Sequence, residues 1–266
     1  MNELVTLGVT DGIADVRLNR PDKHNSLTLD MFRAIVAAGE SLADPAIRVA
    51  VLSGNGPSFC AGLDFSVMRA ILGGGEEAAE ITAALIDGDS APENLAQRTA
   101  YVWKTVRVPV IAAIHCVTYG GGCQIALGCD IRFASPDAKI SVMEVRYGLI
   151  PDMAITQTLP DLVAIDVAKE LTLTGRIVEA SEAAALGLVT QVVDDPLETA
   201  FETARAIARR SPDAVKAAKR LLNGAWRAEA AAGLALEETL QRSLLGSRNQ
   251  CEAVLAEMEK REPLFY

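Results

Sequence analysis

The chain is poor in imidazole and in aromatic side chains. Its 266 residues include two histidines, His24 and His115, two tryptophans and an aromatic fraction of 5%. The five cysteines, Cys60, Cys116, Cys123, Cys129 and Cys251, form no CxxC pair, and their number is odd. They read either as a thiol nucleophile or metal site, or as reduced core residues; the scarcity of imidazole partners favours the second, with no metal site. A reducing, cytoplasmic compartment is the corresponding expectation. Positive charge is also in deficit: 25 Lys and Arg stand against 35 Asp and Glu, a net charge of −10. That balance argues against a broad nucleic-acid or anionic-membrane surface, so an anionic small ligand would need a local basic patch. No long hydrophobic run is present. The longest, Val108 to Val117, is interrupted by His115 and is too short to span a bilayer. The opening MNELVTLGVTDGIADV has no charged head followed by an apolar stretch, so it does not read as a signal peptide. What is abundant is ordinary core material. Half of the residues are hydrophobic and 23% are charged, enough to bury one large α/β domain and to exclude disorder.

Periodicity along the chain alternates between strand and helix. LVTLGVT, Asp11-Gly12 and IADVRLN predict a hairpin, and Thr28 predicts an N-cap for a helix near 29–42 with Leu29, Phe32, Ile35 and Val36 inward. IRVAVLSG, VPVIAAIHC and DIRFAS read as buried strands, and ISVMEV as a shorter strand-like piece. Residues 66–100 change character: a helix from Val67, the GGGEE break, an Ala-rich amphipathic stretch and the polar GDSAPEN. The segment is either a mobile wall next to a substrate or a surface excursion. From Asp161 onward the pattern is almost wholly helical, with Ser181 as a predicted cap and Gly187 as a stop. Helices near 196–210 and 212–223 follow, then a helical region to Lys260. Residues 1–195 therefore form an α/β core and residues 196–266 a helical region of the same functional domain.

Two glycine-bearing turns follow buried strands: SFCAGLDF (58–65) and YGGGCQIALGCD (119–130). Glycine lets backbone approach a ligand and present its N–H groups, and the second turn opens a helix whose dipole adds positive potential. Neither turn spells a phosphate loop, since GxxxxGK[ST] and GxGxxG are both absent. Tight packing of helix on strand and an oxyanion site remain the two readings of the glycines by themselves.

RLNRPDKHNSL, SFCAGLDF, IAAIHCVTYGGGCQIALGCDIRFAS and MEKREPLF, in that order and spacing, resemble the crotonase (enoyl-CoA hydratase/isomerase) family across essentially the whole chain. The resemblance implies an α/β spiral of ββα units with a C-terminal helical trimerisation region, a homotrimer or a hexamer made of two trimers, and an acyl-CoA thioester substrate. Coenzyme A would enter as part of that substrate, with no separate cofactor. It also implies two backbone oxyanion donors, the amides of Leu63 and Gly121. Two glutamates hold the water in the hydratases; here the first position is Gln124 and the second is Glu144. Glutamine can orient a water but cannot take its proton. Asp152 stands where hydratases have glycine. It resembles the second carboxylate of the dienoyl-CoA isomerases, or else it caps the turn after Pro151. For coenzyme A the resemblance points to Lys23, His24 and Asn25, to Ala61 and Asp64, and to Lys260 and Arg261 reaching a neighbouring subunit, the last two reading equally as solvated charges. Ser66 replaces a lysine often found there, so one phosphate contact is absent. Hydration or double-bond isomerisation of an enoyl-CoA is the implied activity. Thioester hydrolysis, decarboxylation, dehalogenation and a silent acyl-CoA-binding relative are the alternatives.

Overall fold

The computed structural model describes residues 4–87 and 92–266. Strands β1 (Val5–Thr10) and β2 (Ile13–Leu18) form the expected antiparallel hairpin. Its two turn residues, Asp11 and Gly12, have φ of 51° and 76°, the positive values that a two-residue turn of this hand requires. Helix α1 (Leu29–Ser41) is capped by the Thr28 side chain, which accepts from Met31 N–H, and it buries Phe32, Ile35 and Val36. Strand β3 (Val49–Gly54) lies parallel to β2. Helices α2 (Phe65–Gly73), α3 (Gly75–Ile86) and α4 (Leu95–Thr105) follow, the last opened by a capping box between Asn94 and Gln97.

The next segments repeat one step. Strand β4 (Val110–Ile114) enters a large sheet, and β5 (Val117–Tyr119) enters a small one before helix α5 (Gly121–Leu127). Strand β6 (Ile131–Ala134) pairs parallel with β4, and β7 (Lys139–Ser141) pairs parallel with β5. A 3-10 turn (Glu144–Tyr147), α6 (Ile155–Thr158) and α7 (Ile165–Thr174) lead to β8 (Val178–Glu179), α8 (Ala180–Leu186) and β9 (Gln191–Val192). The result is a six-stranded sheet in the order β1-β2-β3-β4-β6-β9 beside a three-stranded sheet, β5-β7-β8. The β4–β5, β6–β7 and β8–β9 steps each add one strand to each sheet, as the expected spiral requires.

Alternate residues of the central strands face opposite sides. Val16, Leu52 and Ile114 join Met31, Ile35 and Trp103 in the main core. Val49, Val51, Ile111 and Phe133 face the other way, onto α9 (Pro196–Ala208). That helix presents Ala200, Ala204 and Ala208 to the sheet, a four-residue spacing of small side chains that allows close approach. Helices α10 (Pro212–Ala225), α11 (Ala230–Leu244) and α12 (Arg248–Glu259) complete the chain. Ser211 caps α10 with Pro212 at its first position, as expected.

Four local expectations are corrected. Helix α2 starts at Phe65 rather than Val67, because the Asp64 carboxylate caps it through Ser66 N–H. Helix α8 starts at Ala180 with Glu179 at its cap, so Ser181 lies inside the first turn. The ISVMEV strand stops at Ser141, and Glu144 opens the 3-10 turn instead. Strands β8 and β9 interrupt the region read as helical; at two residues each they are too short to leave an alternating pattern. Of the polar GDSAPEN stretch, residues 88–91 lie outside the described residues, and Asn94 caps α4. Among the described residues no helix is long and apolar enough to cross a membrane.

Candidate active site

The two glycine turns meet. Cys60 pairs with Thr118 in an isolated parallel bridge, and Leu27 pairs with Leu63 in another. Gly62 has φ of 84°, and a Cβ there would lie 2.7 Å from the Tyr119 carbonyl oxygen and 3.4 Å from the Gly121 amide nitrogen. Gly122 packs so closely on the Cys60 carbonyl that a Cβ would collide with it. Glycine is thus required at both places for the turns to touch. The backbone on either side of Leu63 is engaged: the Gly62 carbonyl accepts from Leu27 N–H at 2.8 Å and Asp64 N–H donates to the Leu27 carbonyl at 3.0 Å. Among the described residues the Leu63 and Gly121 amides donate to no protein acceptor, and both residues line one cavity of about 540 Å³. The Gly121 amide is also the first of α5, at the positive end of its dipole.

Gln124 and Glu144 come together beside those amides. Gln124 is fully buried. Its Oε1 accepts from Met153 N–H at 2.9 Å, so its Nε2 must face the other way, where it donates to Glu144 Oε1 at 2.6 Å. The second carboxylate oxygen, Glu144 Oε2, is buried and has no hydrogen-bond partner. Burial pushes the Glu144 pKa up and the Asp152 charge adds to the rise; its own backbone amide and Gln124 oppose it. Asp152 lies on the cavity wall where its residue still meets solvent, and partial desolvation raises its carboxyl too, against a bond from its own backbone N–H. The structure thus gathers Glu144 and Asp152 with Leu63 and Gly121 around one space, and Gln124, bonded to Glu144 but not itself on the cavity wall, acts as the strut between the 3-10 turn and the 152–153 loop.

The expected coenzyme A residues divide. His24 and Ala61 line the cavity. His24 has φ of 49°, its Nδ1 sits 2.9 Å from Ser58 Oγ, and its carbonyl accepts from Ala61 N–H. Lys23, ending a short 3-10 turn, is exposed and does not line the cavity. Asn25 corrects the expectation of a ligand-facing backbone: it is fully buried and its polar groups are spent on protein. Its Nδ2 donates to the Asn55, Ser58 and Phe59 carbonyls, its Oδ1 accepts from Arg20 N–H, and its carbonyl accepts the Cys60 thiol. Asn25 shapes the loop that carries the first turn. Asp64 uses its side chain structurally. Its carboxylate caps α2 and takes Arg20 Nη1 at 2.5 Å and Ser26 Oγ at 2.7 Å, away from the cavity. Desolvation works against its charge, yet Arg20, Ser26 and Ser66 together hold its pKa well below the usual carboxylate range. Lys260 and Arg261 do not line this cavity, and Arg261 is paired with Glu252 and Glu259, each at 2.6 Å.

The sequence reading missed Arg20 and Ser26, which anchor Asp64, and the aromatic lip of the cavity. Phe65 and Tyr147 meet edge to face with ring centroids 6.3 Å apart, joining α2 to the turn that begins with Glu144. Phe65 directly follows the AGLD turn, and that adjacency was the available signal. All five cysteines are free; Cys60, Cys123 and Cys129 are buried, and desolvation pushes the Cys60 thiol up to about 12, far from a nucleophile. Among the described residues no cluster of three His, Cys, Asp or Glu side chains could hold a metal ion.

A ββα spiral whose glycine turns present amides to an apolar cavity containing a desolvated carboxyl defines a crotonase-fold enzyme. The family described as enoyl-CoA hydratase/isomerase matches residues 8–266. A Mycobacterium tuberculosis protein named as a probable enoyl-CoA hydratase is 33% identical over 253 residues, covering 94% of this chain and 93% of the relative. The peroxisomal Delta(3,5)-Delta(2,4)-dienoyl-CoA isomerase of Arabidopsis thaliana is 33% identical over 273 residues, covering 99% and 96%. The crystal structure of the enoyl-CoA hydratase from Bacillus anthracis superposes with a TM-score of 0.86 at 30% identity, covering 98% of both chains. This chain belongs to the enoyl-CoA hydratase/isomerase family, and it is an enzyme of that type.

Proposed function

We propose that the chain moves a double bond along an enoyl-CoA by a one-base proton transfer, with Glu144 as the base. The observation that carries this reading is the division of labour within one carboxyl group. Glu144 Oε1 is held by Gln124 at 2.6 Å, while Oε2 is buried and has no partner. In a β,γ-enoyl thioester, Oε2 would take a proton from the α carbon. The electron pair would move onto the thioester oxygen, to which the Leu63 and Gly121 amides would donate hydrogen bonds. Such a donor is worth ~2.7–4 kcal/mol in the transition state. The same carboxyl would return the proton at the γ carbon as the α,β double bond forms. Hydration asks for more, because a water must be held and deprotonated while the α carbon is protonated. Gln124 cannot accept a proton, and its oxygen is committed to Met153 N–H. Asp152 supports one extension: a second carboxyl on the same cavity could carry protons further along a conjugated dienoyl chain.

His24 and Ala61, at the cavity wall, are the coenzyme A contacts within the chain, and coenzyme A enters only as part of the thioester. Large apolar side chains exposed in the C-terminal helical region, Trp226 at 68%, Leu234 at 64% and Met258 at 75%, support a homotrimer or a hexamer. Light scattering on the purified chain tests that reading. The five free cysteines support a reducing compartment such as the cytoplasm. The reaction is tested by comparing formation of the conjugated thioester from a β,γ-enoyl-CoA with hydration of crotonyl-CoA on one protein batch. The first rate should exceed the second; the reverse order would make the protein a hydratase, and binding without turnover would make it a silent relative.

A further inference from the structure

The cavity that holds Glu144 has a largely apolar lining. Leu27, Phe32, Leu85 and Ala96 contribute to it from the main core. Met68 and Ile71 of α2 and Ile86 of α3 line it as well. Ile71 and Ile86 are 39% and 46% exposed, so these helices contribute apolar surface that the protein itself does not cover. Among the described residues no lysine or arginine lines the cavity. Among the described residues the acidic groups on the wall are the carboxyls of Glu144 and Asp152. The Thr82 hydroxyl, the one polar group α3 offers there, donates to the Ala78 carbonyl of its own helix.

We infer that the site takes a neutral, apolar acyl chain longer than crotonyl and rejects thioesters whose acyl tail ends in a carboxylate. The inference rests on the acyl-thioester reading of the cavity but not on which reaction follows. An unbranched tail lying between the core side chains and the α2–α3 wall gains about fourfold in affinity for each fully buried methylene. A terminal carboxylate would lose its water with no lysine or arginine among the described lining residues to replace it.

The experiment separates substrate class from reaction type. Affinities of the full chain are measured by calorimetry for unreactive butyryl-, hexanoyl- and octanoyl-CoA, and for the octanoyl analogue bearing a terminal carboxylate. Turnover is measured separately with the matching enoyl thioesters. Affinity should rise by about two- to fourfold per methylene from butyryl to octanoyl, and the carboxyl-tailed analogue should bind at least about 100-fold more weakly than octanoyl-CoA. A flat or falling series, or equal affinity for the carboxyl-tailed analogue, overturns the inference. A rising series without turnover supports it and overturns only the proton-transfer reading. Thr82→Arg, on the exposed side of α3, places a cation by the tail. It should narrow the discrimination against the carboxylate by about tenfold or more; an unchanged ratio would mean that the tail does not run along α3 and would overturn the proposed path.

Discussion

Replacing Glu144 by glutamine isolates basicity from shape. The new amide oxygen can accept from Gln124 Nε2 where Glu144 Oε1 does at 2.6 Å, so the strut to Met153 persists. The amide nitrogen then takes the place of Oε2, which has no protein partner to lose. Ground-state geometry is therefore preserved while the proton acceptor is removed. The chemical step should slow by about 100- to 10,000-fold, the range for a positioned general acid/base. Acyl-CoA affinity should stay within about twofold, since no thioester contact changes. The pH dependence carries a second signature. Burial and then Asp152 raise the native Glu144 pKa, so wild-type activity should climb with pH through an apparent pKa above the usual glutamate value. A carboxyl whose pKa is raised on folding contributes its full stability below its unfolded pKa and loses it as pH rises through the folded one. Glu144→Gln should thus melt at the same temperature as wild type or higher at pH 8, with any advantage vanishing in acid. Rates of double-bond migration and of solvent-deuterium exchange, followed by NMR, together with thermal melts at both pH extremes, make the assay. Undiminished exchange in the variant would refute the reasoning and move the base to Asp152 or a bound water.

Leu63→Ala should retain most activity because the proposed donor is the amide, whereas Leu63→Pro has no N–H and should lose about 100-fold or more in kcat; acyl-CoA binding checks that the loop survives. Asp64→Asn removes the charge paired with Arg20 and should cost on the order of 1–2 kcal/mol at neutral pH. Because Asp64 has a depressed pKa, that gap should close as pH falls below the ordinary carboxylate range, as read by thermal melts. Gln124→Glu brings a second carboxyl within hydrogen-bond distance of Glu144 and lets the two share a proton. Hydration of crotonyl-CoA should rise relative to isomerisation, and an unchanged ratio would show that Gln124 does not limit hydration.

Much of the spiral was legible because its signals are local. Thr28, Asp11-Gly12, Ser211-Pro212 and Gly187 act within a turn of chain, and β3 and β4 are continuous apolar runs. Strands β8 and β9 were not legible, since two residues carry no period and their pairing with β7 and β6 is set by partners distant in sequence. The site followed the same division. The glycine turns and the Gln124–Glu144 pair stood out through the family pattern, but a pattern names positions and not side-chain directions. The Asn25 and Asp64 side chains hold the loop and cap α2, a role visible only once Arg20, Ser26 and Phe59 are seen beside them. The Phe65–Tyr147 lip joins residues separated by most of the spiral, so no local signal announces it.

The fate of one hydrogen tests the central claim most directly. A β,γ-enoyl-CoA labelled with deuterium at its α carbon is incubated with the native protein in ordinary water, and the product is examined by NMR. If a single desolvated carboxyl takes and returns the proton, the α,β-enoyl product will carry part of the label at its γ carbon. Label lost wholly to solvent, together with rapid addition of water to the double bond, would contradict the account and make Gln124 a sufficient holder of water.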